Sequence, residues 1–86
     1  LLDAQVLLTP NPSSDLVNIQ ASFRESPGQL QISIVNALGQ AIRSSFLEVD
    51  HTEFQTQLQV SDLTPGMYLV QLRAGDRYTT LRLVIE

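Results

Sequence analysis

Apolar and polar residues alternate along most of this chain of 86 residues, which is the pattern of β-strands with one buried face. The alternation is clearest at 54–60, where the apolar residues and Thr56 share one face and the Gln residues the other. We predict strands at 2–8, 17–23, 30–34, 40–49, 54–60, 67–72 and 78–86. Because no stretch has the apolar period of a helix, the pattern predicts an all-β protein.

The connections between these runs are rich in Pro, Gly, Asn and Asp, the residues that favour turns. In the pair Pro65-Gly66, Pro presets φ near about −65° and Gly accepts a positive φ. We expect these two residues to occupy the central positions of a type II turn. About seven short strands separated by such turns predict a two-sheet antiparallel β-sandwich that is immunoglobulin-like in architecture.

Two of the predicted strands depart from simple alternation. At 40–49, the apolar phase changes between Phe46 and Leu47, so we expect a β-bulge near Phe46. In the run that begins after Gly66, Met67 and Leu69 add apolar residues to the face that simple alternation would leave polar. We therefore expect both faces of that strand to be partly covered.

Length, composition and charge narrow the possibilities. The chain fits a single domain, 1–86, with no room for a second. It has no Cys, which excludes disulfides and thiolate metal sites. Its net charge is −4 and its five basic residues are scattered Arg, so it lacks the basic cluster that nucleic acid requires. No apolar run approaches the ~20 residues of a transmembrane helix, and the start at Leu1 is typical of a cut inside a longer precursor.

Residues that could carry chemistry are few. The single histidine, His51, lies in a connector, and no nucleophile lies in a recognisable catalytic motif, so we expect no catalytic residue. Asn11, Ser13 and Asp15 have a spacing that some calcium loops use, but the rest of such a loop is missing. We expect these side chains to bond backbone groups beside the two prolines, and we expect no metal or cofactor.

Three segments, in order along the chain, carry a family resemblance. The first is the turn Pro10-Asn11-Pro12 before polar residues and an apolar strand, and the second is Asn36-Ala37-Leu38-Gly39-Gln40 after an apolar strand. The third and most specific has Leu63, Gly66 and Tyr68 spaced as Leu-x-x-Gly-x-Tyr before an apolar run. Together they resemble the type A C-terminal sorting domain of the type IX secretion system, over residues 8–86.

The resemblance implies a folded, non-catalytic secretion signal. Proteins of this family carry a cargo ahead of the sorting domain, reach the periplasm, and cross the outer membrane through the type IX machinery. The implied partners are therefore the N-terminal cargo of the same precursor, the outer-membrane translocon and a sortase-like cysteine peptidase that removes the domain during surface attachment. The implied destination is the cell surface or the extracellular space.

Nine residues are candidates for recognition by that machinery: Pro10, Asn11, Pro12, Gly39, Leu63, Gly66, Tyr68, Arg82 and Glu86. The terminal run 79–86 is also a candidate for being a sheet edge that recruits another strand, or for docking at such an edge. Members of the family often have a Lys-containing last strand with a basic end, whereas this chain has no Lys, carries Arg82 at the corresponding place and ends in Glu86.

The alternative is a passive immunoglobulin-like spacer, or an adhesive or carbohydrate-binding accessory module of a surface protein. Its polar strand faces, rich in Gln and Ser, could contact a sugar. Sugar platforms usually need several exposed aromatic side chains, however, and this chain offers two Tyr and no Trp. Tyr68 and Tyr78 are more typical of sheet packing.

Overall fold

The structure, a computed structural model, describes residues 3–86 and shows seven β-strands and no helix in that range. The strands are β1 (Ala4–Thr9), β2 (Leu16–Phe23), β3 (Gly28–Val35), β4 (Ala41–Val49), β5 (Glu53–Gln59), β6 (Gly66–Ala74) and β7 (Arg77–Ile85). The seven predicted strands are confirmed, except that Leu2, the predicted start of the first, lies outside the described residues. Residues 3–86 contain no helix long and apolar enough to cross a membrane.

The strands form two antiparallel sheets, and the predicted all-β sandwich is confirmed. One sheet has the strand order β1-β2-β5, and the other has the order β4-β3-β6-β7. The β3–β4 and β6–β7 connections are hairpins within one sheet. The β2–β3, β4–β5 and β5–β6 connections carry the chain from one sheet to the other.

The core lies between the sheets and is built from the inward-facing residues that the alternation predicted. The three-stranded sheet and the residue after β5 contribute Leu8, Val17, Ile19, Ala21, Phe23 and Val60. The four-stranded sheet contributes Leu30, Ile32, Ile34, Val49, Tyr68, Val70, Leu72, Leu83 and Ile85. Each fully buried Leu or Ile side chain stabilises the fold by about 1.5–3 kcal/mol relative to exposure, so this layer is the main source of stability.

The predicted bulge near Phe46 is wrong. β4 pairs with β3 in one register along 43–49, and the register shifts only at Ile42, which is the extra residue. Phe46 lies on the outer face of the sheet and is 64% exposed. The inward positions Arg43 and Ser45 are polar because β4 is at the edge of its sheet, where inward residues are only partly covered. The positions of the apolar residues in β4 therefore do not show which of its faces points inward.

The predicted type II turn at Pro65-Gly66 is wrong in position. The hydrogen-bonded turn comes earlier, where the Leu63 N–H donates to the Val60 carbonyl at 3.0 Å. Gly66 has a φ of +153°, far from the roughly +80° of a type II turn, and it opens β6 opposite Ile85. The segment from β5 to β6 connects two sheets rather than two paired strands, so it needs a longer path than one tight turn gives.

Met67 and Leu69 led to the expectation that both faces of β6 are partly covered, and residues 3–86 cover its outer face only in part. Their side chains project from the outer face of the four-stranded sheet and are 53% and 39% exposed. Tyr68 and Val70, which alternate with them, are buried in the core. The outer face of β6 therefore carries apolar side chains that residues 3–86 leave partly exposed to solvent.

The strands run between two ends of the sandwich. One end, called the motif end, contains the connections at 10–15, 36–40 and 60–65 and the last residues of β7. The far end contains the connections at 24–27, 50–52 and 75–76 and the start of β1. All three segments that carry the family resemblance therefore lie wholly or partly at the motif end, opposite to the start of β1.

Candidate functional site

The Pro10-Asn11-Pro12 loop lies along the free edge of β7 at the motif end. The Asn11 Nδ2 donates to the Arg82 carbonyl at 2.8 Å, and the Asn11 Oδ1 accepts from the Val84 N–H at 3.0 Å. The peptide bonds that precede Pro10 and Pro12 are both cis. One amide side chain thus makes the pair of hydrogen bonds that a backbone residue of a neighbouring strand would make.

Ser13 extends this contact as a short piece of parallel strand. Its N–H donates to the Val84 carbonyl and its carbonyl accepts from the Glu86 N–H, both at 2.9 Å. The residue is buried, and its Oγ donates to the Leu16 carbonyl at 2.9 Å. β7 is an edge strand as predicted, and the last part of this edge is already paired within the chain, because Asn11 and Ser13 bond to it there.

The connection from β5 to β6, which holds the third segment, is fixed at both of its ends. At its start, the Val60 N–H donates to the Asp15 carbonyl at 2.7 Å. At its end, the Tyr68 hydroxyl donates to the Thr64 carbonyl at 2.6 Å and lies 3.0 Å from the Thr64 Oγ1. Tyr68 is buried, and Leu63 packs against the core. Both of these motif residues therefore act inside the fold.

The second segment forms the turn between β3 and β4, and the Asn36 side chain organises it. The Asn36 Oδ1 accepts from the N–H groups of Leu38 and Gln40, both at 3.0 Å. Gly39 has a φ of +85°, a conformation that side chains resist. The turn leaves Leu38 projecting into solvent at the motif end.

An ion pair links the edge strand β4 to the segment after β5. The Arg43 Nη2 donates to both carboxylate oxygens of Asp62, at 2.9 and 2.8 Å, and its Nη1 donates to the Gln59 carbonyl. The hydrogen bond from Arg43 is the largest cause that lowers the pKa of the Asp62 carboxyl below its usual value of 3.8. Because Asp62 is largely exposed, we expect the pair to position this connection more than to stabilise the fold.

The structure brings most of the predicted recognition residues together. Asn11, between Pro10 and Pro12, bonds the Arg82 carbonyl. Ser13, next to Pro12, bonds the Glu86 N–H, and Gly66 pairs with Ile85 on the neighbouring strand. Gly39 is at the same end but on the far side of β6 from β7. These residues differ in exposure: Tyr68 is buried and Leu63 is partly buried, whereas the others are exposed, namely Pro10, Asn11, Pro12, Gly39, Gly66, Arg82 and Glu86.

Two features of this end were missed by sequence analysis. The Arg43–Asp62 pair joins residues 19 apart, and no local pattern links them, because the pair depends on how the two sheets pack. The role of Asn36 had a local signal, since an Asn side chain often bonds backbone N–H groups two residues further along a turn.

The other predictions about chemistry concern His51, the oxygen ligands and the tyrosines. His51 is an exposed loop residue as predicted, with its Nε2 3.2 Å from the Asp50 Oδ1. Asn11 and Ser13 bond backbone groups, as expected in preference to the calcium interpretation. Tyr68 packs in the core, and Tyr78 has the Arg73 guanidinium 5.4 Å from its ring centroid. Within residues 3–86 there is no cluster of three or more His, Asp and Glu residues able to hold a metal ion.

Comparison with known protein families identifies the family of this chain. The model of the family described as the secretion system C-terminal sorting domain matches residues 8–86, which includes all three segments and every strand from the end of β1 onward. No curated protein sequence matches the chain. Since the match extends over nearly the whole chain, this protein belongs to the family of type IX secretion C-terminal sorting domains.

Proposed function

We propose that this domain is a folded secretion signal and that the type IX machinery recognises its motif end. One observation carries the proposal: the Pro10-Asn11-Pro12 loop is hydrogen-bonded to the end of β7, beside the start of β6. Segments far apart in sequence thus form one continuous surface. Because Asn11 and Ser13 bond the backbone of β7, the Arg82 and Glu86 side chains are held at defined places with their polar ends in solvent.

The first and last strands of the fold place the start of β1 and the end of β7 at opposite ends, which suits a cargo attached ahead of the domain. β1 begins at the far end, whereas β7 ends at the motif end, and nine residues of β7 span roughly 30 Å. A cargo that enters β1 would therefore leave the motif end open to the machinery. We propose transit through the periplasm, passage through the outer-membrane translocon, and removal by a sortase-like cysteine peptidase acting ahead of β1.

The domain itself is proposed to have no catalytic role. The polar side chains Asn11, Ser13, Asn36 and Tyr68 all form hydrogen bonds with backbone groups, in turns or at the sheet edge. We propose that Arg82 and Glu86 contact the machinery, and that Leu63 and Tyr68 support the surface from beneath.

A transfer experiment tests this proposal. A periplasmic signal peptide and a fluorescent reporter are fused ahead of residues 1–86 and expressed in a bacterium with an intact type IX system and in a transport-deficient strain. We expect the reporter at the surface or in the medium only in the intact strain. Equal retention in the periplasm of both strains would contradict the proposal, since a passive spacer would give that result.

A further inference from the structure

The outer face of the four-stranded sheet changes character along its length. In its middle lies a polar row in which Ser44 pairs with Ser33, Ser33 with Gln71, and Gln71 with Thr80. Toward the motif end the next outward positions are apolar on β3 and β6, and Arg82 occupies the corresponding position on β7. This apolar group, called the outer patch, consists of Val35, Met67, Leu69 and Val84.

Strand register makes the outer patch continuous. Val35 lies directly opposite Leu69, and Met67 lies directly opposite Val84, so the four side chains occupy adjacent positions on three strands. Leu69 and Met67 are 39% and 53% exposed, and Leu38 in the turn that follows Val35 is 83% exposed. Contiguous apolar surface of this kind is typical of a protein contact.

The charges around the patch indicate what would cover it. Leu69 pairs on its other side with Arg82, whose side chain makes no ion pair with any of residues 3–86. The far end carries six of the nine acidic residues, namely Asp3, Glu25, Glu48, Asp50, Glu53 and Asp76, whereas Asp15, Asp62 and Glu86 lie at the motif end. An apolar surface with one free guanidinium at its border is complementary to aliphatic side chains beside a carboxylate.

The other exposed apolar residues of this face do not form a comparable surface. Phe46 and Tyr78 lie beyond the polar row, in the row of Gln31 and Arg73, and Arg73 lies over the Tyr78 ring. Their apolar area is therefore interrupted by polar groups on both sides. Phe46 provides a matched control, because it is more exposed than Leu69 and lies on the same sheet face.

We propose that the outer patch is the docking surface for a protein of the export machinery, through an aliphatic surface that carries a carboxylate facing Arg82. The inference rests on the proposed function, because it names the contact through which the motif end is read. It adds Met67 and Leu69 to the residues that face the partner, and it specifies that the partner surface is aliphatic and carries a carboxylate.

The test uses the reporter fusion in the intact and transport-deficient strains. The double variant Met67→Thr with Leu69→Thr removes apolar area but keeps residues that favour strands, and Phe46→Thr is its control. We expect the double variant to lower export by about tenfold or more, and the control to stay within about twofold of the unchanged fusion. The melting temperature of the 86-residue chain is measured for each variant.

A charge reversal tests the same surface if the double variant is unstable. Arg82→Glu should lower export by a similar factor, whereas Arg77→Glu, on the same strand at the far end, should not. Export of the double variant at the level of the unchanged fusion would overturn the inference alone. Normal export of Arg82→Glu as well would also contradict the contact through Arg82 in the proposed function. Retention of the unchanged fusion in both strains would overturn the proposed function and the inference with it.

The partner's identity has its own control. If the isolated chain forms a dimer that the double variant abolishes, the occupant of the patch is a second copy, and the proposed partner is wrong. Sedimentation or light scattering of the unchanged chain across a range of concentrations measures this. We expect a monomer for both the unchanged chain and the double variant.

Discussion

Asn11 shows how one residue can complete a sheet edge. The amide donates to one carbonyl and accepts from one N–H of β7, so two backbone groups at the edge are satisfied without another strand. An open edge would expose such groups to pairing with other chains. The side-chain amide is suited to this place because it has both a donor and an acceptor, whereas a carboxylate has only acceptors.

Replacing Asn11 should therefore destabilise the domain. Asn11→Ala loses two hydrogen bonds, each with a net value of about 0.5–1.5 kcal/mol, so we expect a loss of about 1–3 kcal/mol. Ser14→Ala, in the same exposed loop, should change stability by no more than about 0.5 kcal/mol. Urea unfolding of the two variants measures the difference. Equal stability for both would mean that the Asn11 side chain does not hold β7.

Asp62 gives a prediction about pH. Its pKa is lowered in the folded state, so the Arg43–Asp62 pair stabilises the fold above the usual value of 3.8 and loses its effect as pH falls through the lowered pKa. Asp62→Asn should accordingly lower the melting temperature slightly at neutral pH and have no effect well below pH 3.8. Asp76→Asn, in the β6–β7 turn, is the control. A difference that grows as pH falls would contradict this assignment.

Gly66 carries a prediction that survives the correction of its turn type. Its φ of +153° is still one that L side chains rarely adopt, although a Cβ there would meet no atom within 4 Å. The cost of Gly66→Val is therefore backbone strain alone, and we expect about 1–3 kcal/mol. Thermal unfolding should show a drop of several degrees. A melting temperature equal to that of the unchanged chain would mean that the backbone relaxes at no cost.

The strands and their inward faces were the features predicted best from the sequence. Alternation gave the inward faces of β2, β3, β5, β6 and β7, because those faces are covered by the other sheet and burial selects apolar residues there. It failed at β4, whose inward positions include Arg43 and Ser45 at a sheet edge. It also could not show whether the outward Met67 and Leu69 were covered, since coverage depends on what packs on a face.

The candidate site was predicted less completely than the strands. Turn chemistry identified Pro10, Asn11, Pro12 and Gly39 as special, because Pro, Asn and Gly have recognisable backbone roles. It could not show that Asn11 bonds residues 71 and 73 positions further along the chain. Contacts of that range follow from the packing of two sheets, which local patterns do not encode.

Adjacent residues of β7 belong to the core and to the surface. Leu83 is fully buried, whereas Arg82 is exposed on the outer face. We expect Leu83→Ala to cost about 2–5 kcal/mol, because it removes apolar contacts and leaves a cavity. Arg82→Ala should change stability by no more than about 0.5 kcal/mol. Chemical unfolding compares the two, and similar losses for both would mean that β7 is not inserted as described.

For the whole molecule, the arrangement of its two ends is the feature most relevant to sorting. The motif end combines three loops, the end of β7 and an apolar outer patch, while the far end holds the start of β1 and most of the acidic residues. This difference between the two ends lets one end connect to a cargo while the other contacts a partner. A uniform spacer would have no need for this difference.

The central claim is that the machinery reads side chains displayed at the motif end of a folded domain. The most direct test measures reporter export and melting temperature together for Arg82→Ala, Glu86→Ala and Leu83→Ala. We expect the first two to lower export without lowering the melting temperature, and the third to lower both. Export that follows melting temperature alone across the three variants, or normal export of a variant that is unfolded, would contradict the claim.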